Sequence, residues 1–122
     1  MSGLSNYLEG KLIDHIFHGV AYPAPSVLYV SLHSADPADV GSNEISGGGY
    51  ARATVPCYEV LWTKTNNVVT NASIINFPQA LTEWGNVSHF GLWDNSLGGN
   101  MLLSGQLAQA KTVNQADLVS FP

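Results

Sequence analysis

The run YPAP at residues 22–25 divides the chain into two unequal parts. Neither proline can continue a helix, and each biases the residue before it towards extended backbone. On the N-terminal side lies one helix-compatible segment. Leu4, Leu8, Leu12 and Ile16 recur four residues apart with Ile13 and Phe17 alongside, which places them on one face of a helix over residues 4–18. Ser2 or Ser5 suits its N-cap, and Gly19 suits the left-handed position past its end. Gly10 inside it costs about 1 kcal/mol relative to alanine, so this helix needs packing against a sheet or a neighbour.

Beyond YPAP the pattern is one of strands and turns. Residues 26–34, SVLYVSLHS, alternate: Leu28, Val30 and Leu32 share one face, with Val27, Tyr29, Ser31 and His33 on the other. A central strand is expected there. ADPADVGSNEISGGG at 35–49 has the Asp, Pro, Ser and Gly content of a long surface loop. Extended pattern resumes over 50–57 and over 60–63, and TNN turns the chain towards 68–70. Ser73, Ile75 and Phe77 alternate with Ala72, Ile74 and Asn76, and residues 79–84 suit one helical turn. VSHFGLWD at 87–94 and MLLSGQL at 101–107 flank NSLGGN as a hairpin, and KTVNQADLVSFP reads as two short strands about the turn NQAD. Seven or eight short strands after one helix predict a single domain over residues 1–122. It is mainly β, an antiparallel β-sandwich or barrel over 26–122 with one N-terminal α-helix within 1–19.

Composition narrows the partners. Charged residues are 11% of the chain and apolar ones 45%, so much of the surface is neutral polar and suited to packing against other proteins in a homo-oligomer or larger assembly. The net charge of -5 is the wrong sign for nucleic acid or an anionic membrane. The N-terminal residues have no long apolar run of the kind a signal peptide or membrane span carries. Cys57 is the lone cysteine, which precludes an intramolecular disulfide and reads as a small buried hydrophobe.

The stretch GGGYAR, residues 47–52, invites a phosphate-loop reading. It lacks the lysine and the following helix that such a loop requires. Gly47, Gly48 and Gly49 instead allow a tight re-entry into a sheet. Tyr50 and Arg52, the chain's one arginine, fall on one strand face, where Arg52 can pair with Glu44, Asp39 or a partner subunit. His33, Asp36, Asp39, Asn43 and Glu44 surround the long loop, but their spacing fits no standard calcium loop, so no metal is expected. His89 reads as a hydrogen-bonded structural histidine. No GxSxG is present, and Asp36 with Asp39 in one loop defines no separation across a glycoside, so neither catalytic residues nor a cofactor are expected. Trp62, Trp84 and Trp93 suit a core or interface, or, on another reading, stacking on sugars.

SNYLEGKLIDHIFHG, LYVSLHSADPADVGSNEISGGGYARATV, WGNVSHFGLWDNSLGGNMLLSGQL and KTVNQADL, in that order, resemble a family of small tailed-bacteriophage proteins usually labelled tail fibre protein. The resemblance implies a virion component without active-site residues. Relatives of this kind commonly extend one strand past the position of Phe121, so either that last strand is missing here or a neighbouring subunit completes the sheet edge. Size, with no heptads or repeats to build a shaft, favours a head decoration (cement) protein on the major capsid protein. The family label favours a tail fibre or tail-tip component among tail proteins, and the tryptophans alone would favour a carbohydrate-binding module. The decoration role is the leading expectation. Gly47, Gly48, Gly49, Tyr50, Arg52, Trp84 and Trp93 are the expected protein-contact residues, with Tyr and Arg favoured where interfaces bury large side chains.

Overall fold

A computed structural model describes residues 3–57 and 61–122. Ser2 and Val60, expected respectively as a cap and at a strand start, lie outside the described residues. The fold is mainly β and antiparallel with one helix near the N-terminus, as the pattern predicts. The elements are β1 (Gly3–Leu4), α1 (Asn6–Phe17), β2 (Val27–His33), β3 (Ala53–Pro56), β4 (Trp62–Thr65), β5 (Val68–Asn71), β6 (Ile75–Asn76), β7 (Gly85–Trp93), β8 (Met101–Val113) and β9 (Ser120–Phe121).

The helix forms over Asn6–Phe17, but Leu4, expected at the start of its apolar face, lies instead in β1, paired with Leu103 of β8. The Ser5 hydroxyl accepts a hydrogen bond from Leu8 N at 3.2 Å, which satisfies an orphan donor of the first turn. At the other end Gly19 takes φ +68°, and both His18 N and Val20 N donate to the Asp14 carbonyl. None of its residues is buried.

The main sheet has the order β1-β8-β7-β2-β3, so β2 and β7 are central. In β2 the alternation is as expected. Val30 and Leu32 join Ala53, Val55, Val87 and Val113 in the core, while Ser31 and His33 enter a buried polar network on the opposite face. The apolar face is covered by the β6–β9 ladder, whose Ile75 and neighbouring Phe77 are buried in that core. Phe121 in β9 meets the rings of Phe77 and Phe90 edge-on, at 5.9 and 6.4 Å between centroids. Two β-layers over one apolar core are the sandwich element of the prediction. The β4–β5 hairpin, turned by Asn66 at φ +56°, is joined to this core at its base, where Trp62 packs against the cluster and Asn71 Nδ2 donates to the Phe121 carbonyl, while Val68 and Val69 near its tip are exposed.

Three local expectations are corrected. Residues 79–84 form no helical turn, because their backbone donors are claimed from elsewhere: Ala80 N by the Asp117 carbonyl, Leu81 N by Gly48 and Trp84 N by Val113. β8 runs on to Val113 rather than stopping at Leu107. Its partners jump from His89↔Gln106 to Val87↔Lys111, so that residues 107–110 bulge against Ser88. Residues 111–113 are therefore the end of β8 and not a separate tail strand.

Candidate functional site

The loop between β2 and β3 carries most of the expected contact residues, and of these Gly48, Tyr50 and Arg52 are fastened to the chain's own interior. Glu44 bridges back to His33, and Ile45 N donates to the Leu32 carbonyl. All three glycines have positive φ. At Gly48 the need is steric as well: a Cβ would lie 2.6 Å from Thr82 Oγ1. The Gly48 carbonyl accepts from Leu81 N at 2.8 Å and from the Trp84 indole N–H at 2.9 Å, which latches the loop onto residues 81–84.

Past the glycines, Tyr50 and Arg52 converge on Glu44. The Tyr50 hydroxyl donates to Glu44 Oε2 at 2.7 Å and accepts from Leu32 N at 3.1 Å. Arg52 grips the same carboxylate through Nε and Nη2, both at 2.8 Å, and its Nη1 donates to the Asn95 and Gly98 carbonyls at 2.8 and 2.9 Å. The guanidinium also lies 3.7 Å from the Trp93 ring centroid. Its side chain is only 7% exposed, so the chain's one arginine is a tie between the 44–52 loop and the β7–β8 turn. Burial alone would raise the Glu44 pKa, but the hydrogen bonds from Arg52 and Tyr50 hold it below the ordinary value. Burial first, and then the bond to Glu44, keeps the Tyr50 phenol protonated far above its usual range.

Beneath this knot sits a second network. His33 Nδ1 lies 2.8 Å from the Ser42 carbonyl, which can only accept, so Nδ1 carries the proton. Nε2 is then an acceptor, and the Ser31 hydroxyl donates to it at 2.7 Å while accepting the Trp93 indole N–H at 2.7 Å. Burial lowers the His33 pKa and keeps the ring neutral. A Ser–His hydrogen bond is the start of a nucleophile–base pair. Here both residues are 0% exposed, so no substrate reaches the hydroxyl.

The tryptophans are interior. Trp84 packs edge-on against Tyr50 with centroids 5.5 Å apart, and Trp84 and Trp93 are both buried. Trp62 is half-buried and donates to the Pro56 carbonyl. His89 Nδ1 pairs with Ser88 Oγ at 2.7 Å, in keeping with a structural histidine. Cys57 is half-buried, and burial pushes its thiol pKa up, away from nucleophilic character. The acidic residues of the loop do not converge: Asp36 caps Ala38 N, and Asp39 accepts from the Asn6 amide at 3.1 Å. Among the described residues no group of three His, Cys, Asp or Glu could hold a metal ion.

Two features lie outside the sequence expectations. On α1 the apolar residues Ile13, Ile16 and Phe17 are 53%, 68% and 76% exposed, a stripe that continues to Val20. Its periodicity was visible; its lack of a partner was not. Beside α1, three half-buried tyrosines, Tyr7, Tyr22 and Tyr29, line a cleft. Tyr7 lies in α1, Tyr22 in the linker and Tyr29 in β2, so no single periodicity runs through all three and none announces the cleft.

No curated protein matches the chain. Residues 3–122 match the model of a family described as podophage GP4 fiber I protein gp80.

Proposed function

Because the chain belongs to the podophage GP4 fiber I protein gp80 family, we propose that it is a non-enzymatic fibre component of a tailed-phage virion, assembled with tail proteins and with further copies of itself. The observation that carries this is the family match across residues 3–122. It outweighs the argument from size, which favoured a head decoration protein: a short domain serves as one module of a composite fibre as readily as it serves as a cement. The family is one of fibre proteins by name, not of shell proteins.

The internal geometry supports the non-enzymatic part. The Ser31–His33 pair is sealed, and the Glu44 carboxylate is held by Arg52 and Tyr50. With Tyr50, Arg52, Trp84 and Trp93 engaged internally, attachment falls to the exposed stripe of Ile13, Ile16, Phe17 and Val20, whose burial against a partner would remove sizeable apolar side chains from water. No helix of the described residues is long and apolar enough to cross a membrane, and the charge of -5 disfavours nucleic acid.

The test is copy number. Quantitative mass spectrometry of purified virions, scaled to the major capsid protein, is expected to return a small number of copies per particle, with antibody labelling at the tail. A ratio approaching one per capsid subunit would replace the fibre reading with shell decoration.

A further inference from the structure

The cleft beside α1 has walls from three parts of the chain. Tyr7 comes from the first turn of the helix, Tyr22, Pro23 and Pro25 from the linker, Tyr29 from β2, and Asp94 from the end of β7. It encloses about 400 Å³, within the range of roughly 300–1,000 Å³ typical of small-molecule sites. A second cavity of about 260 Å³ lies against Tyr7 as well, lined among others by Asn6, Asp39 and Asn100. Tyr7 thus divides two lobes.

The walls are held in place before any ligand arrives. Tyr29 sits on a central strand paired residue for residue with Trp93, the prolines restrict the linker backbone, and Asp94 is fixed by bonds to its two oxygens from Asn100 N and Nδ2 at 2.7 and 3.0 Å. Among the described residues the hydroxyls of Tyr7, Tyr22 and Tyr29 have no protein hydrogen-bond partner. In the second lobe Asp39 Oδ1 is buried and unpaired among the described residues. Its Oδ2 accepts from the Asn6 amide, and the acidic side chain lines that lobe. Burial, then the Tyr7 phenol and the Asp94 carboxylate, raise the Tyr22 pKa, so its hydroxyl stays protonated and can donate.

We propose that this cleft is a binding site for a neutral saccharide, seating a pyranose ring against Tyr7, Tyr22 and Tyr29 with its hydroxyls on Asp94 and Asp39. Aromatic rings match the C–H faces of a pyranose, while phenols and fixed carboxylates match its hydroxyls. No lysine or arginine lines either lobe, and the charges that do, Asp94 and Asp39, repel phosphate or a sugar acid; Lys11 Nζ lies outside the lining, 5.5 Å from the Tyr7 ring centroid. The rings and carboxylates would also attract a small organic cation, but such a ligand has no use for the tyrosine hydroxyls and fills only a fraction of two lobes. Of the three tryptophans Trp93 alone borders the cleft, at the second lobe, and its ring already carries the Arg52 guanidinium, so the stacking surface falls to the tyrosines.

The test is a titration of the ¹⁵N-labelled full chain with the methyl glycosides of glucose, galactose, mannose, rhamnose and N-acetylglucosamine, and separately with tetramethylammonium. At least one glycoside is expected to give saturable shifts confined to amides of residues 7, 20–29 and 93–100. Tyr22→Ala should weaken that binding by about five- to tenfold. Tyr22→Phe, which keeps the ring and cannot disturb folding through a hydrogen bond, should weaken it by about two- to threefold. Phe17→Ser on the far stripe of α1 should leave it unchanged. The proposal fails if no glycoside shifts these amides, if only tetramethylammonium does, or if Tyr22→Ala binds like the parent chain. The site does not depend on where the protein stands in the virion. A shell-like copy number would relocate it and leave this titration untouched, whereas a failed titration would leave the fibre reading in place.

Discussion

The 44–52 loop and helix α1 exchange the roles their compositions advertise. The loop is rich in glycine, serine and polar groups, yet its Arg52 side chain is 7% exposed and its Gly48 carbonyl accepts two hydrogen bonds from residues 81–84. The helix has the apolar periodicity of a core element, yet none of its residues is buried and Phe17 is 76% exposed. Periodicity identifies a face that wants covering without saying what covers it. Polar composition identifies a segment off the core, without saying whether its side chains answer to solvent or to the protein.

The sharpest way to break this contrast is at Arg52. Arg52→Ala leaves the Glu44 carboxylate half-buried without its fork of donors and strips a cation from Trp93, and is expected to cost about 3 kcal/mol, or roughly 10 °C in melting temperature. Arg52→Lys keeps the charge and loses the bidentate geometry, so it should recover only part of that stability. A melting temperature unchanged by Arg52→Ala would return the loop to the surface role its composition implies.

A smaller effect is expected from acid. His33 is neutral in the fold with its pKa below the ordinary 6.5, so the unfolded chain binds a proton that the folded one refuses. Stability is therefore full above pH about 6.5 and declines as pH falls through that value towards the folded pKa. A second decline follows below the ordinary 4.5 of Glu44, whose folded pKa is also depressed. Urea midpoints measured from pH 8 to pH 3 should trace both, and a ¹⁵N spectrum of His33 should show the Nδ1–H tautomer. A flat profile between pH 7 and pH 5 would contradict the sealed Ser31–His33–Trp93 arrangement.

The smallest effect should come from the helix. Ile16→Ser with Phe17→Ser is expected to change the stability of the isolated chain by no more than about 0.5 kcal/mol, since neither side chain is packed. A loss several times larger would mean that the stripe is already covered in solution by a second copy, which sedimentation would show directly.

Legibility in the sequence followed the range of the interaction. The Glu44–Arg52 pair, eight residues apart, was readable because both charges lie in one loop and Arg52 has few acidic neighbours to choose from. The alternation of β2 was readable because each of its faces meets a different environment. What escaped reading depends on distant partners. Ser31 meets Trp93 across 62 residues, and Arg52 meets the carbonyls of Asn95 and Gly98, acceptors that every residue carries and no side chain marks. Residues 107–110 look unlike a strand, with alanine and glutamine predominating, and are carried into β8 by pairing on either side of them. The tyrosine cleft joins a helix, a linker and two strands, and only the assembled fold brings them together.

The Arg52 tie also makes the folded chain resistant to one kind of enzyme. An arginine-specific protease has a single place to cut, after residue 52, and must draw that side chain out of four hydrogen bonds and off the Trp93 ring to do so. Only an opened molecule offers it. Division into fragments 1–52 and 53–122 is thus a built-in register of how often the chain lets go of its own centre.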